Sequence, residues 1–311
     1  ALAVLLGTLA SFGTHLTLLR DVVRDAFSRD SALGLALGTT ALCGPVLLCA
    51  YTFISIFWLR PAETGVITIA CIGLSELLLQ PVLVIAAMER HAHGQSVRSQ
   101  LLLVMPLVMR LIFALLIAWQ APPDPLAVFA LCHLLAIAFA LVIAIALAPA
   151  PWPWKWHLPS PAQWRDSSGY AFLNISASGV AELDKLLATK LLAAGPAGIY
   201  AAASRIIGSL VLPVIAMMIS AMPRLFKKNT GHDSRLQYWL FASAACYGFA
   251  SGFALWLFAP WFQSLLGSSY TDLAEIIRWL AWAVPAICLR AAAVNVLTTI
   301  DRPWLRVALE I

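Results

Sequence analysis

Charged residues are scarce in this sequence. They make up 11% of its 311 residues, whereas hydrophobic residues make up 61%. Soluble domains contain about 25% charged and about 45–50% apolar residues. A soluble protein of this length has no core large enough to bury so much apolar surface. The composition therefore excludes a soluble fold and predicts that lipid surrounds the chain.

The sequence also lacks the patterns that bind metals or nucleic acids. Its six cysteines lie within hydrophobic runs without CxxC spacing, so we expect free thiols and no metal or other cofactor. The net charge is +5, but the basic residues are scattered rather than gathered into a stripe, which excludes a nucleic-acid surface. No signal peptide is visible, because residue 1 already lies in an apolar run without a basic flank.

Long hydrophobic runs dominate the sequence. A helix needs about 20 apolar residues to cross a hydrocarbon core of about 30 Å. These runs are continuous rather than alternating, which favours helices over barrel strands. We therefore predict an all-α, polytopic transmembrane helical bundle. Its nine predicted spans lie near 1–19, 33–58, 65–88, 101–119, 126–148, 170–193, 199–222, 238–262 and 275–299.

The loops between these spans differ sharply in their basic residues. Thirteen Lys and Arg lie in one alternate set of loops, at 20–30, 89–100, 149–169, 224–235 and 301–306. The opposite set contains Arg60 alone. Because cytoplasmic loops carry the basic excess, we place the first set in the cytoplasm and expect a multi-pass protein of the bacterial cytoplasmic (inner) membrane.

The longest loop separates five predicted spans from four. We therefore predict an N-terminal lobe at 1–148, a cytoplasmic interfacial linker at 149–169 and a C-terminal lobe at 170–311. The chain lacks an initiating Met, and we expect it to be a fragment at both ends. One helix before it and two after it would give two lobes of six, the pattern of transporters built from two repeats.

Several charged residues of the predicted spans fall near mid-membrane. A central Arg, Lys or Asp costs at least about 2.5–3.5 kcal/mol in lipid, so such residues usually face a water-filled cavity or a partner. Five of them are basic and three are acidic, which favours an anionic substrate such as a phosphate. The predicted substrate-binding residues are Arg110, Arg290, Lys185, Arg205, Asp184 and Lys190.

Glu76, in the middle of the third span, has two interpretations. It is a candidate coupling site for a proton or sodium ion, or a structural partner of Arg110 on the neighbouring span. Lys190 and Arg205 could instead extend to the outer interface. His15 and His133 lack metal-ligand spacing, and we interpret them as packing residues.

The second half of the chain carries motifs of a known family. After Asp184 come a Gly-x-Tyr-x-x-Ala-x-Arg pattern at 198–205, a Pro-x-Leu-Phe exit at 223–226 and a Gly-x-x-Tyr turn at 267–270. These motifs resemble the polysaccharide flippases of the multidrug/oligosaccharidyl-lipid/polysaccharide superfamily, and SFGTHLTLLRDVVRD at 11–25 resembles them more loosely. The resemblance implies a twelve-helix, MATE-like fold with two pseudo-repeated lobes and a central cationic cavity.

The resemblance also implies a function. The chain would carry polyprenyl-pyrophosphate-linked oligosaccharide across the cytoplasmic membrane by alternating access, for O-antigen, capsule or exopolysaccharide synthesis. H+ or Na+ is the implied coupling ion, and membrane lipid and polysaccharide-assembly proteins are the implied partners. The alternatives are a multidrug antiporter or lipid II flippase of the same superfamily, and a membrane polysaccharide polymerase. The external loops are short and contain no paired carboxylate and histidine, so we do not expect an enzyme.

Overall fold

The computed structural model describes residues 2–24, 28–59, 65–148, 150–153, 156–192, 194–226, 234–266, 270 and 272–299. Every regular element within these ranges is helical, which confirms the predicted all-α fold. The helices are α1 (Leu2–Ala10), α2 (Thr14–Val23), α3 (Arg29–Phe53), α4 (Val66–Leu74), α5 (Gln80–Ala92), α6 (Ser96–Gln120), α7 (Pro125–Ala146), α8 (Pro161–Leu191), α9 (Ala194–Phe226), α10 (Ser234–Leu266), α11 (Leu273–Ala281) and α12 (Val284–Thr299). Two π-helical segments, Ile54–Leu59 and Ser75–Leu79, extend α3 and join α4 to α5.

Among the described residues, seven helices are long and apolar enough to cross a membrane. They lie at Leu2–Val23, Arg29–Phe57, Val66–Ala92, Ser96–Gln120, Pro125–Ala146, Gly195–Met222 and Arg235–Leu265. An eighth span results if α11 and α12, which bend by 50° at their junction, count as one. The chain is therefore a multi-pass membrane protein.

The predicted sixth span, 170–193, is not one of these helices. It falls within α8, which is long enough to cross a membrane. However, Asn174 and four charged residues lie in this segment, and they lower its mean hydropathy. Against nine predicted spans, the described residues therefore contain seven helices that are long and apolar enough to cross a membrane, or eight with the bent pair.

Helix ends in the first unit follow local sequence signals. The hydroxyl of Ser28 accepts a hydrogen bond from the backbone of Ser31 at the start of α3. At the start of α7, the carboxylate of Asp124 accepts one from the backbone of Ala127 at 3.1 Å, and Pro125 follows as the first helical residue. Such side chains satisfy backbone donors that the first helical turn leaves free.

The chain forms two compact units that meet inside α8, between Gly179 and Val180. This differs from the predicted organisation, in which 149–169 is a separate linker and the second lobe begins at 170. The described part of the linker and the N-terminal half of α8 instead belong to the first unit, because side chains of α2 and α3 bind them.

The described residues of the predicted linker pack against α3. The guanidinium of Arg29 donates hydrogen bonds to the carbonyl oxygens of Ala150 at 3.0 Å and Pro151 at 3.2 Å. Farther along, the backbone nitrogen of His157 donates to the carbonyl of Gly34 at 3.3 Å. A Cβ at Gly38 would lie 2.5 Å from the carbonyl oxygen of His157, so only glycine allows this approach. The described residues of the predicted linker are therefore part of the first unit.

The N-terminal half of α8 packs against the break between α1 and α2. The rings of Phe12 and Trp164 meet edge to face at 4.7 Å between centroids. The guanidinium of Arg20 donates two hydrogen bonds to the carboxylate of Asp166, at 2.6 and 3.1 Å. Two parallel bonds of this kind fix orientation as well as distance. This pairing explains why the first unit extends into α8.

Small residues also set the packing of the second unit. A Cβ at Gly248 in α10 would lie 3.0 Å from the Cα of Pro285, and one at Gly252 would lie 2.9 Å from the carbonyl oxygen of Ala281. Close approach at small residues is a common way to pack helices in membranes. The core of this unit is formed by α9, α10, α11 and α12, with residues such as Met218 and Cys288 fully buried.

Candidate functional site

Glu76 lies in the π-helical segment that interrupts the third span. Such segments leave a backbone carbonyl without its usual partner and are frequent at functional sites. Here α1 covers that backbone, because a Cβ at Gly7 would lie only 2.7 Å from the carbonyl oxygen of Glu76. The side chain of Glu76 is 13% exposed. The interrupted helix thus holds a mostly buried carboxyl group at membrane depth.

Two cationic or ionisable side chains approach the same oxygen of Glu76. Nη2 of Arg110, on α6, lies 3.6 Å from Oε1. Nε2 of His133, on α7, lies 2.9 Å from that oxygen, although the ring is not oriented for a hydrogen bond. Three helical segments therefore converge on one carboxylate oxygen, and we call Glu76, Arg110 and His133 the charged triad.

The triad combines opposite charges in a region of low polarity. Arg110 is 21% exposed at its side chain, and its buried Nε contacts no acceptor among the described residues. The hydroxyl of Tyr51, on α3, lies within electrostatic range of Glu76. A buried carboxylate and guanidinium stabilise each other's charged forms, but each remains costly if the other is removed. The triad can therefore hold a proton or exchange a partner.

The structure brings together two residues that the sequence singled out, Glu76 and Arg110. It also corrects the interpretation of His133, which we took for a packing residue and which lies against Glu76. One sequence signal could have revealed it: in the otherwise apolar run of α7, His133 is the one ionisable side chain besides Cys132. A carboxyl group at mid-membrane needs a partner on a neighbouring span, and this histidine was available.

A second polar contact lies in the second unit. The hydroxyl of Tyr200, on α9, donates a hydrogen bond to Oδ2 of Asp184, on α8, at 2.8 Å. The other oxygen, Oδ1, is buried and contacts no donor among the described residues. Both residues were quoted from the sequence, Asp184 as a site residue and Tyr200 as part of a motif. The structure places them as partners.

The remaining predicted site residues also belong to the second unit. Arg205 on α9 and Arg290 on α12 are both exposed. Arg290 has an interaction partner within the chain. The side chains of Lys185 and Lys190 lie outside the described residues.

No family model matches the sequence, and no curated protein matches it. Solved structures do match. One is the outward-facing conformation of a multidrug resistance MATE family transporter of the MOP superfamily, with a TM-score of 0.79 at 14% identity, covering 100% of this chain and 74% of that one. The chain has the MATE transporter fold.

Two further structures give the same result. A P26A mutant of MATE matches with a TM-score of 0.75 at 12% identity, covering 100% of this chain and 74% of that chain. MATE in complex with MaL6 matches with a TM-score of 0.76 at 13% identity, covering 100% and 75%. The MATE-like fold expected from the sequence is thereby confirmed, whereas the polysaccharide-flippase subtype stays a prediction.

Proposed function

We propose that this MATE-fold protein is a flippase that carries polyprenyl-pyrophosphate-linked oligosaccharide across a bacterial cytoplasmic membrane by alternating access. The observation that supports this most is Arg110, a guanidinium held at membrane depth in a fold known from transporters. A membrane helix rarely keeps a charge at this depth without a function.

The chemistry of Arg110 suits a phosphate group. Guanidinium presents a planar set of donors that match phosphate oxygens, and the low dielectric of the membrane strengthens the contact. The buried Nε of Arg110 contacts no acceptor among the described residues. The pyrophosphate and sugar would pass through the protein while the polyprenyl tail stays in the lipid.

Glu76 is the proposed coupling residue. It is an ionisable group within a span, and His133, the kind of side chain that most readily exchanges a proton near neutral pH, lies against it. We therefore propose H+ rather than Na+ as the coupling ion at the charged triad.

A multidrug antiporter is the second candidate. The names of the matching structures favour it, since one is described as a multidrug resistance MATE family transporter. In that function, Glu76 would pair with a cationic substrate in place of Arg110. A lipid II flippase is chemically close to the first proposal, because its substrate also carries a pyrophosphate on a polyprenyl chain.

The experiment is deletion of the full-length gene in its source bacterium, followed by assay of polyprenyl-pyrophosphate-linked sugars in each leaflet. We expect oligosaccharide-loaded lipid to accumulate on the cytoplasmic side, with loss of surface polymer. Complementation with Arg110→Ala should fail, whereas Arg98→Ala, at an exposed position on the same helix, should restore export. Loaded lipid that still reaches the outer face, with only drug tolerance reduced, would favour the antiporter.

A further inference from the structure

A group of exposed charged and aromatic side chains lies on α10 and α11, away from the charged triad. The guanidinium carbon of Arg278, on α11, lies 5.7 Å from the ring centroid of Trp256, on α10. Glu275 is exposed three residues before Arg278. We propose that these residues bind the headgroup of phosphatidylethanolamine, a zwitterionic phospholipid, with its phosphate at Arg278 and its ammonium at Glu275. This headgroup site is independent of the transported substrate, and its residues all belong to the second unit.

One side of α11 is buried and the other is exposed. Leu273, Ile277 and Ala281 are buried, and their spacing of four residues places them on one face of the helix. By contrast, Trp279 and Trp282 are 74% and 77% exposed. Exposed tryptophans beside charged residues are typical of the membrane interface, where an apolar ring meets lipid and a polar group meets the headgroups. The exposed side of α11 therefore suits the headgroup layer.

The packing of α10 against α11 sets the depth of Arg278. The two helices run antiparallel, because Trp256 meets Arg278 while Gly252 approaches Ala281. With 33 residues, α10 is about 50 Å long, or about 20 Å longer than the hydrocarbon core. Trp256 lies about 15 Å before Leu266, the last residue of α10. If the excess length is shared by both ends, Arg278 lies about 5 Å inside the hydrocarbon, and an arginine side chain reaches the phosphates from there.

Arg278 has no carboxylate partner among the described residues. Opposite charges three residues apart on a helix often pair, but the guanidinium lies over the ring of Trp256 and not against Glu275. The ring attracts the cation through its π-electrons and does not occupy its donors as a carboxylate would. An arginine near lipid is costly without a counter-ion. A lipid phosphate supplies one, with oxygens that match the fork of guanidinium donors.

Trp256 is itself held in place by a second ring. Phe253 stacks on it, with ring centroids 6.4 Å apart and planes inclined by 18°. Both rings are on α10 and both are exposed. The guanidinium therefore lies on an aromatic surface that is continuous with the lipid-exposed side of α10, where a phospholipid can approach it.

Glu275 favours a zwitterionic lipid over an anionic one. Because α11 begins near the end of α10, Glu275 is closer to the membrane surface than Arg278, by up to about 4.5 Å, the rise of three residues. In phosphatidylethanolamine, two carbons separate the phosphate from an ammonium that lies farther out. The order of charges along α11 is thus complementary to that of the headgroup. Phosphatidylglycerol would match Arg278 alone, and its negative charge would be repelled by Glu275.

The test is photo-crosslinking in nanodiscs that contain equal amounts of phosphatidylethanolamine and phosphatidylglycerol with the same acyl chains. In the full-length protein, p-benzoylphenylalanine replaces Trp279, and mass spectrometry identifies the lipids attached to its peptide. The same replacement at Leu115, 64% exposed near the end of α6, reports the lipid around the protein. We expect about fivefold more phosphatidylethanolamine than phosphatidylglycerol at 279, within the range of exposed charge pairs, and equal amounts at 115.

Charge variants test the roles of the two residues. Glu275→Gln should bring the two lipids at 279 to equal amounts, because the repulsion of phosphatidylglycerol and the contact with the ammonium are both lost. Arg278→Lys should keep the preference, whereas Arg278→Gln should reduce it. The double variant Glu275→Arg/Arg278→Glu retains the net charge but reverses the order of charges, and it should lose the preference. Since both positions are exposed, all variants should melt at the wild-type temperature.

The outcomes at positions 279 and 115 decide the inference. Equal amounts of the two lipids at 279 in the wild type, or an equal preference at 115, would overturn a headgroup site on α11. A preference that survives in both Glu275→Gln and the reversed double variant would overturn the assignment of the ammonium to Glu275. A preference at 279 that depends on Glu275 and on a cation at 278 supports it.

Discussion

Two buried charged residues of the first unit, Arg90 and Glu89, form close hydrogen bonds. Arg90 is 2% exposed, and its guanidinium donates to the carbonyl oxygens of Ala86 and Ala144. Glu89, 1% exposed, accepts from Arg29 at 2.7 Å between Nε and Oε1. From their charge, we predicted that Glu89 and Arg90 lie in a cytoplasmic loop, because a sequence does not show which charged residues are buried. Compared with these close contacts, the Arg110–Glu76 separation of 3.6 Å is long.

Removal of Arg110 should destabilise the protein through the carboxylate that it leaves behind. We expect Arg110→Ala to cost about 1–3 kcal/mol, below the roughly 3–5 kcal/mol for a fully buried pair because both side chains are partly exposed. The double variant Arg110→Ala/Glu76→Gln should recover much of this, since no unpaired charge remains. Thermal unfolding of the purified variants measures the effect. A double variant less stable than Arg110→Ala would contradict the pairing.

The Tyr200–Asp184 contact makes a similar prediction in the second unit. Tyr200→Phe removes the hydroxyl that donates to Oδ2 of Asp184 and should lower stability by about 1–3 kcal/mol, because the carboxylate, whose other oxygen is buried, loses a hydrogen bond. Tyr238→Phe, at a position 68% exposed in the same unit, is the control and should be neutral. Equal melting temperatures for the two variants would show that the hydrogen bond contributes little.

The sequence anticipated part of the charged triad. Glu76 and Arg110 were identifiable because charges in the middle of an apolar run need a partner. Whether their side chains meet depends on how the two helices are rotated about their axes. The π-helical segment at 75–79 alters this rotation. His133 was missed because a single histidine in an apolar helix has the same sequence pattern whether it packs against apolar side chains or contacts a carboxylate.

At the scale of elements, the first span is broken where the sequence showed a continuous run. Phe12 and Gly13 have φ of 45° and 76°, and the break separates α1 from α2. Long hydrophobic runs predict where a chain crosses lipid, but not where a helix bends. At the break, Phe12 and Gly13 pack closely against α8, a contact that is far away in sequence.

Gly13 should tolerate no side chain. A Cβ there would lie 2.7 Å from the nitrogen of Ala171 and from the carbonyl oxygen of Ser167. Gly94 is a matched control, because its φ is 75° and nothing lies within 4 Å of the corresponding Cβ. Gly94→Ala should cost about 1 kcal/mol from backbone strain alone. Gly13→Ala should cost at least about 1 kcal/mol more, since backbone must move.

Melting temperatures of the two glycine variants, measured side by side in the same detergent, check this prediction. A larger loss of stability in Gly13→Ala than in Gly94→Ala assigns the difference to contact with α8. Equal losses would show that the left-handed backbone conformation is the only constraint at Gly13, and that α8 can move away without cost.

At the scale of the whole molecule, the distribution of basic residues predicts the orientation. His93 and Pro123 are exposed positions in loops of the opposite sets. In a variant without native cysteines, we expect a membrane-impermeant maleimide to label Pro123→Cys on spheroplasts and to label His93→Cys only after lysis. Labelling of His93→Cys on intact spheroplasts would reverse the orientation, and with it the direction proposed for transport.

The fold was more predictable than its division into units. Hydrophobic runs and loop charge predicted a helical bundle with two lobes, and the MATE fold is consistent with that. The 149–169 loop looks like a linker by composition, whereas the compact units divide inside α8, because Arg29 and Arg20 bind the described residues of this loop and the start of α8 to the first unit. Such long-range hydrogen bonds leave no local signal in sequence.

Reconstitution of the full-length protein in liposomes tests the central claim most directly. A fluorescent polyprenyl-pyrophosphate-linked oligosaccharide is placed in the bilayer, and an impermeant quencher reports its movement between leaflets. The flippase proposal predicts protein-dependent movement that Arg110→Ala abolishes and Arg98→Ala preserves. Lipid-linked sugar that stays in its leaflet, while the same liposomes accumulate or expel tetraphenylphosphonium in response to a pH gradient, would contradict the proposal and favour a cation antiporter.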